Sequence, residues 1–152
     1  MPQTDPRPQK GKGIYLQMCG QENPEIVVKE WLKRAEEDIK SAKVMLETNH
    51  YTWSAFICQQ ALEKCLKAGY VKKRNEIPPY IHKLERLCEI LNVEPPEEIL
   101  EGIIRIDKYY IVARYPDYKK NIDVPTKDAA ETIYNKTEEI YKWLMENLGL
   151  QR

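Results

Sequence analysis

Residues 31–71 read "WLKRAEEDIKSAKVMLETNHYTWSAFICQQALEKCLKAGYV", and this stretch decides the fold. Its first part carries Trp31, Leu32, Ala35, Ile39, Ala42 and Leu46, steps of three and four that place the apolar side chains on one face of a helix. Tracing backwards, Asn23 is a good N-cap, Pro24 suits the first helical position and Glu25 complements the helix dipole. A first helix is therefore predicted from there to about Thr48, with Ile26 and Val27 opening its apolar face. "TNHY" breaks the pattern, and His50 reads as a turn residue.

A second helix follows from about Thr52 to Lys73, with Ala55, Phe56, Cys58, Ala61, Leu62, Cys65, Leu66, Gly69 and Tyr70 at helical spacing. Gly69 costs roughly 1 kcal/mol against alanine inside a helix, so its presence points to a close helix contact. Pro78-Pro79 forces a loop. A short third helix is expected from near His82, using Leu84, Leu87, Cys88 and Leu91. A fourth starts at Pro95-Pro96 and is expected to turn Ile99, Leu100, Ile103, Ile104, Ile106, Tyr110 and Ile111 inward. The last begins near Pro125-Thr126, carries Ala130, Ile133, Tyr134, Thr137, Ile140, Tyr141, Leu144 and Leu148, and stops at Gly149. No segment reads as a strand. The expectation is an all-α, up-and-down antiparallel bundle of about five helices spanning 23–150. Residues 1–22, rich in proline and glycine and without periodicity, read as a flexible tail.

Composition excludes several classes. The chain has 152 residues, 24 basic and 24 acidic, so its zero net charge argues against indiscriminate coating of nucleic acid. Basic residues nevertheless cluster at 64–74 and 105–120, and folded onto one side these would attract anions. No run approaches the roughly 18 apolar residues of a membrane span, and no secretion signal is visible, so a cytoplasmic location is expected. Cys19, Cys58, Cys65 and Cys88 form no close pair and read as reduced thiols, mostly in the core. Two histidines without a carboxylate or cysteine cluster make a metal site unexpected, and no cofactor is called for.

"CQQALEKCLKA", then "IHKL", then "ARYPD", then a closing helix ending "YKWLMENL" together resemble a HEPN domain (higher eukaryotes and prokaryotes nucleotide-binding) over about 23–148. The resemblance implies a helical bundle related to the C-terminal domain of nucleotidyltransferases, usually homodimeric. It further implies pairing with a small nucleotidyltransferase in toxin–antitoxin or defence systems, and binding of a nucleotide or RNA. RNA-cutting members carry an arginine followed after four to six residues by histidine. Here Arg114 is followed at those positions by Lys119, Lys120 and Asn121, and Arg105 is likewise followed by no histidine. Lysine neutralises phosphate but shuttles protons poorly. Efficient metal-independent ribonuclease activity through that pairing is therefore not expected.

Candidate site residues follow from the "ARYPD" turn. Pro116 and the residue before it cannot continue a helix, so the stop itself is explained by Arg114 capping carbonyls and Asp117 closing the turn. The same residues suit a ligand: a guanidinium grips phosphate bidentately, Tyr115 can stack on a base, and the turn fixes both. Arg114, Tyr115, Asp117 and Lys119 are the first candidates. Gln59, Gln60 and Lys64 come next, since glutamines in an apolar stretch demand hydrogen-bond partners, inside the bundle or outside it. His82 reads as a packing or capping residue, or as a groove-facing one if its loop folds back towards Arg114. Three functions fit: a nucleotide- or RNA-binding module paired with a nucleotidyltransferase, a ribonuclease toxin with a departed active site, or a scaffold for dimerisation and docking.

Overall fold

The computed structural model describes residues 23–115 and 124–151. Asn23 accepts from the Glu25 amide at 3.0 Å and Pro24 takes the first helical position, opening α1 (Pro24–Glu47). After a three-residue turn, α2 (Tyr51–Arg74) runs back along it in the most extensive helix pairing of the molecule. A loop leads to the short α3 (Leu84–Ile90), then α4 (Glu97–Asp107), the single turn α5 (Tyr109–Val112) and the long closing α6 (Lys127–Asn147). There is no strand among the described residues. The fold is an all-α helical bundle.

Three helices end alike. Asn49, Asn92 and Gly149 adopt left-handed backbones, and each amide bonds the carbonyl three residues back, Leu46, Glu89 and Glu146. The next amide in each case, His50, Val93 or Leu150, bonds the carbonyl five residues back. This is the Schellman arrangement, and asparagine is the side-chain-bearing residue that tolerates the conformation best. Asn75 ends α2 with the same handedness through a single bond to the Val71 carbonyl.

Helix α2 is the axis of the bundle. It touches α1, α3, α4, α5 and α6, and it is buried on nearly every side over its second half, from Ala61 to Val71. Leu62, Leu66, Leu84, Leu87, Ile103, Ile133, Ile140 and Leu144 fill the core around it. Truncating one such leucine to alanine typically costs about 2–5 kcal/mol. At Gly69 a Cβ would lie 2.8 Å from Leu148 Cδ1, so the missing side chain is what lets α2 and the end of α6 approach. Ser54 donates to the Ala42 carbonyl at 2.7 Å and fixes the α1–α2 register.

Three expectations are corrected. Ile26 and Ile104 are exposed, because periodicity identifies an apolar stripe but not how wide a stripe the neighbouring helices cover. The fourth helix does not run unbroken to Ile111: it pauses at Lys108, where Asp107 is drawn sideways to another helix. Helix α3 also begins at Leu84, two residues later than read, for the same reason.

Candidate functional site

Lys83, the N-cap residue of α3, supplies no side-chain bond to that helix. The Leu84 amide instead donates to both carboxylate oxygens of Asp107, each at 3.2 Å, so the last residue of α4 caps α3. Burial pushes the Asp107 carboxyl above its ordinary value, while the Leu84 amide and Gln59 pull it down.

Gln59 is wholly buried on α2. Its Nε2 donates to the His82 carbonyl at 2.9 Å and, at 3.4 Å, to Asp107, while Gln60 donates to its Oε1 at 2.8 Å. One turn further along α2, Glu63 faces the same loop, and one turn beyond that is Lys67. Both are almost fully buried and pair at 3.1 Å. Gln59, Glu63 and Lys67 thus form a polar stripe at four-residue spacing on a buried helix, and buried charges are tolerated only when paired. The free oxygen of Glu63 receives His82 Nδ1 at 3.1 Å.

The His82 ring then stacks on Tyr110, with centroids 4.6 Å apart and planes at 17°, while Tyr80 meets its edge at 5.3 Å. Arg114 lies one turn after Tyr110. Its Nε donates to the Tyr110 carbonyl at 2.9 Å and its guanidinium carbon sits 4.0 Å from the Tyr110 ring centre. Its terminal N–H groups have no hydrogen-bond partner among the described residues. Tyr115, about half exposed, lies 5.6 Å from the same guanidinium. A cleft of about 650 Å³ opens beside this cluster, lined by His82, Lys83, Ile104, Lys108, Tyr110 and Ile111 together with Glu85 and Asp107. That volume falls in the roughly 300–1,000 Å³ range of small-molecule sites.

The structure therefore gathers Arg114, Tyr115, His82 and Gln59 in one cluster, with Gln60 joined through Gln59. Lys64 points elsewhere, ion-paired with Asp38 of α1. Asp117 and Lys119 lie outside the described residues. Tyr110, Glu63, Lys67 and Asp107 belong to the cluster but were not singled out from the sequence. The available signals were an aromatic residue one turn before Arg114, a Glu–Lys pair inside an apolar run, and a short helix lacking its own cap.

The basic run 64–74 is tied into the fold, only its first two lysines by ion pairs. Lys64 pairs with Asp38, Lys67 with Glu63, and Lys72 bonds the Gly149 carbonyl. Lys73 and Arg74 bond the Leu91 and Ile90 carbonyls at 2.6 and 3.0 Å, closing the end of α3. A second groove between α1 and α6 has similar volume, but Lys40, Lys43 and Lys142 are matched there by Glu36, Glu47 and Glu138. It offers no net charge to an anion. No group of three or more potential metal ligands exists among the described residues, and none of the helices there is long and apolar enough to cross a membrane.

Comparison with known proteins agrees with this architecture. The HEPN domain family matches residues 28–148. A curated relative from Methanocaldococcus jannaschii, named "Putative toxin MJ1304", is 32% identical, with 80% of this chain and 91% of the relative covered. The crystal structure of TT1696 from Thermus thermophilus superposes with a TM-score of 0.70 at 28% identity, covering 79% of this chain and 97% of that one. The crystal structure of ST0689, described as an archaeal HEPN homologue, gives 0.65 at 27% identity, covering 80% and 97%. By fold, by the extent of the family match and by these likenesses, the chain belongs to the HEPN domain family.

Proposed function

We propose that this chain is the HEPN member of a toxin-type system, binding a nucleotide or RNA phosphate at Arg114 and pairing with a small nucleotidyltransferase. The observation that carries the binding half is the state of Arg114. Its Nε is committed to the Tyr110 carbonyl and its plane is supported by the Tyr110 ring, yet its outer N–H groups have no hydrogen-bond partner among the described residues. A guanidinium fixed in this way loses little freedom when it takes two phosphate oxygens, and bidentate charge-assisted bonds are the strong ones. Exposed Tyr115 alongside offers a ring to a base. The toxin half rests on the name of the Methanocaldococcus jannaschii relative.

The decisive experiment is a titration of nucleotides and short single-stranded RNAs against wild type and Arg114→Ala. Binding that weakens on substitution supports the reading; equal affinity for both proteins removes Arg114 from it. The same module is proposed to act as a homodimer through an apolar two-fold face involving α2 or α4, where Ile104 stands exposed. Light scattering at micromolar concentration tests that, a monomer alone counting against it. Co-purification with a nucleotidyltransferase encoded beside it tests the pairing.

A further inference from the structure

We infer that the groove between α1 and α6 is the seat of this chain's own N-terminal segment, with Ile14, Leu16 and Met18 laid on its apolar floor and Lys12 brought to Glu47 at its far end. The inference is independent of the reading of Arg114.

Helices α1 and α6 run antiparallel. The Tyr141 hydroxyl meets Glu36 at 3.4 Å, Tyr134 shares a groove with Glu47, and Leu150, just past α6, lies across a cavity from Pro24 and Lys29. Their seam opens twice, by about 540 Å³ near Pro24 and by about 670 Å³ from Glu36 to Glu47. Glu25 and Lys29 line the first opening, and Glu36, Lys40, Lys43 and Glu47 the second. Steps of three, four and seven residues set all six along one side of α1, so the two openings lie in line. The larger one has an apolar floor that includes Ile39, Val44 and Met145, and Val44 is left 58% exposed there.

An apolar floor between mutually neutralising charges suits an uncharged strand with one apolar side. Residues 13–21, "GIYLQMCGQ", carry no charge. Ile14, Leu16 and Met18 alternate with Tyr15 and Gln17, so an extended backbone turns the first three to one face. These residues lie outside the stretch 28–148 matched by the family.

The register follows from chain geometry. An extended chain advances about 3.3 Å per residue and a helix about 1.5 Å. Going back from Asn23 along α1, Leu16 comes level with Ile39, each roughly 23–24 Å away on those rises. By the same measure Ile14 comes level with Val44, and Lys12 with Glu47. Charge agrees with that register: the last turn of α1 holds no basic residue, so Lys12 meets both the Glu47 carboxylate and the negative end of the helix dipole. A second copy fits less well. An antiparallel two-fold pairing of α1 with α1 across the groove sets Lys40 against Lys43 and Glu36 against Glu47, like against like.

The test uses the full chain, with limited trypsin and with a zero-length carbodiimide cross-linker, both read by mass spectrometry. Cleavage after Lys10 and Lys12 should be slow in wild type. It should be about tenfold faster in Val44→Glu, which charges the floor, and in Leu16→Glu, which charges the segment, because cleavage tracks the population of the open form. Lys12 should become linked to Glu47, and a mixture of isotopically light and heavy protein should give only unmixed pairs. Should Val44→Glu fail to fold, Leu16→Glu, which precedes the bundle, carries the comparison alone. Equal cleavage of wild type and Leu16→Glu, or Lys12 linked to other carboxylates and not to Glu47, overturns the proposal. Mixed light–heavy pairs put a second copy in the groove and overturn it as well.

Discussion

The imidazole of His82 lies face to face with the phenol of Tyr110, 4.6 Å between centroids and 17° between planes. One ring belongs to the loop before α3 and the other to the single turn α5, so the contact ties the α2–α3 connection to the chain that leads into Arg114. Arg114 in turn grips Tyr110 by carbonyl and by ring. The site is therefore held by tertiary contacts as well as by its own helix.

Replacing Arg114 separates ligand binding from helix capping. Arg114→Ala should weaken nucleotide or RNA binding by about 1.5–3 kcal/mol, the range for hydrogen bonds to a charged group. Arg114→Lys should recover only part, since an ammonium cannot reproduce the planar fork. The melting point should fall modestly, because one cation–π contact contributes about 0.5–1 kcal/mol at an exposed position. Binding titrations and melting curves on the same two variants check this, and an unchanged affinity with a large loss of stability would mark Arg114 as purely structural.

Asp107 gives the fold a pH dependence of definite sign. Its carboxyl is raised above the ordinary 3.8, burial being the largest cause. The native state thus holds that proton more tightly than the unfolded chain, a contribution complete below the ordinary value and lost as pH rises through the raised one. Asp107→Asn keeps a neutral acceptor for the Leu84 amide without the titration. Relative to it, wild type should lose stability between strongly acid and neutral pH. Asp107→Ala should cost about 1 kcal/mol at acid pH, as for loss of a helix cap, and less as pH rises. Thermal melts across a pH series measure both, and a gap that moves in the opposite direction would contradict the assignment.

Gly69→Ala should destabilise the bundle even though alanine is the better helix former. The new Cβ would meet Leu148 Cδ1 at 2.8 Å and Cγ at 3.2 Å, so the whole isobutyl group must move. Overpacking typically costs about 1–3 kcal/mol, against roughly 1 kcal/mol gained in propensity. Denaturant unfolding of Gly69→Ala beside a Gly69→Ala/Leu148→Ala double variant should show most of the clash relieved in the second.

The core thiols should be inert in the native protein. Burial pushes Cys58 up to about 11 and Cys88 up to about 12, and raises Cys65 further still. Thiolate, the reactive form, is then scarce at pH 8. Mass spectrometry after iodoacetamide should find these three unmodified until guanidinium is added; prompt native labelling of any of them would refute its burial.

Local chemistry made much of the fold legible. Asn23-Pro24, Thr126 and Gly149 announce helix ends through caps that depend on nearest neighbours alone, and the structure uses each of them. The exposure of Ile104 and the break at Lys108 were not legible, because both depend on which helix lies alongside. The site divides in the same way. Arg114 and His82 stand out by residue type, whereas Tyr110 looked like one more inward aromatic and Glu63 like one more helix charge. Only the return of the loop gives Glu63 a histidine to orient and Tyr110 an imidazole to carry.

The lysines and arginine that end α2 have a consequence for how RNA would be held. Lys72, Lys73 and Arg74 are committed to carbonyls of α6 and α3 or the turns that follow them, so their charge closes the protein's own helix ends. Few counterions would then be displaced when a strand binds, and each phosphate neutralised adds only about 0.7 to the slope of affinity against salt on logarithmic axes. Recognition centred on one guanidinium should fade slowly with ionic strength, the behaviour of a protein that grips a single point on a strand and leaves the rest of it in solvent.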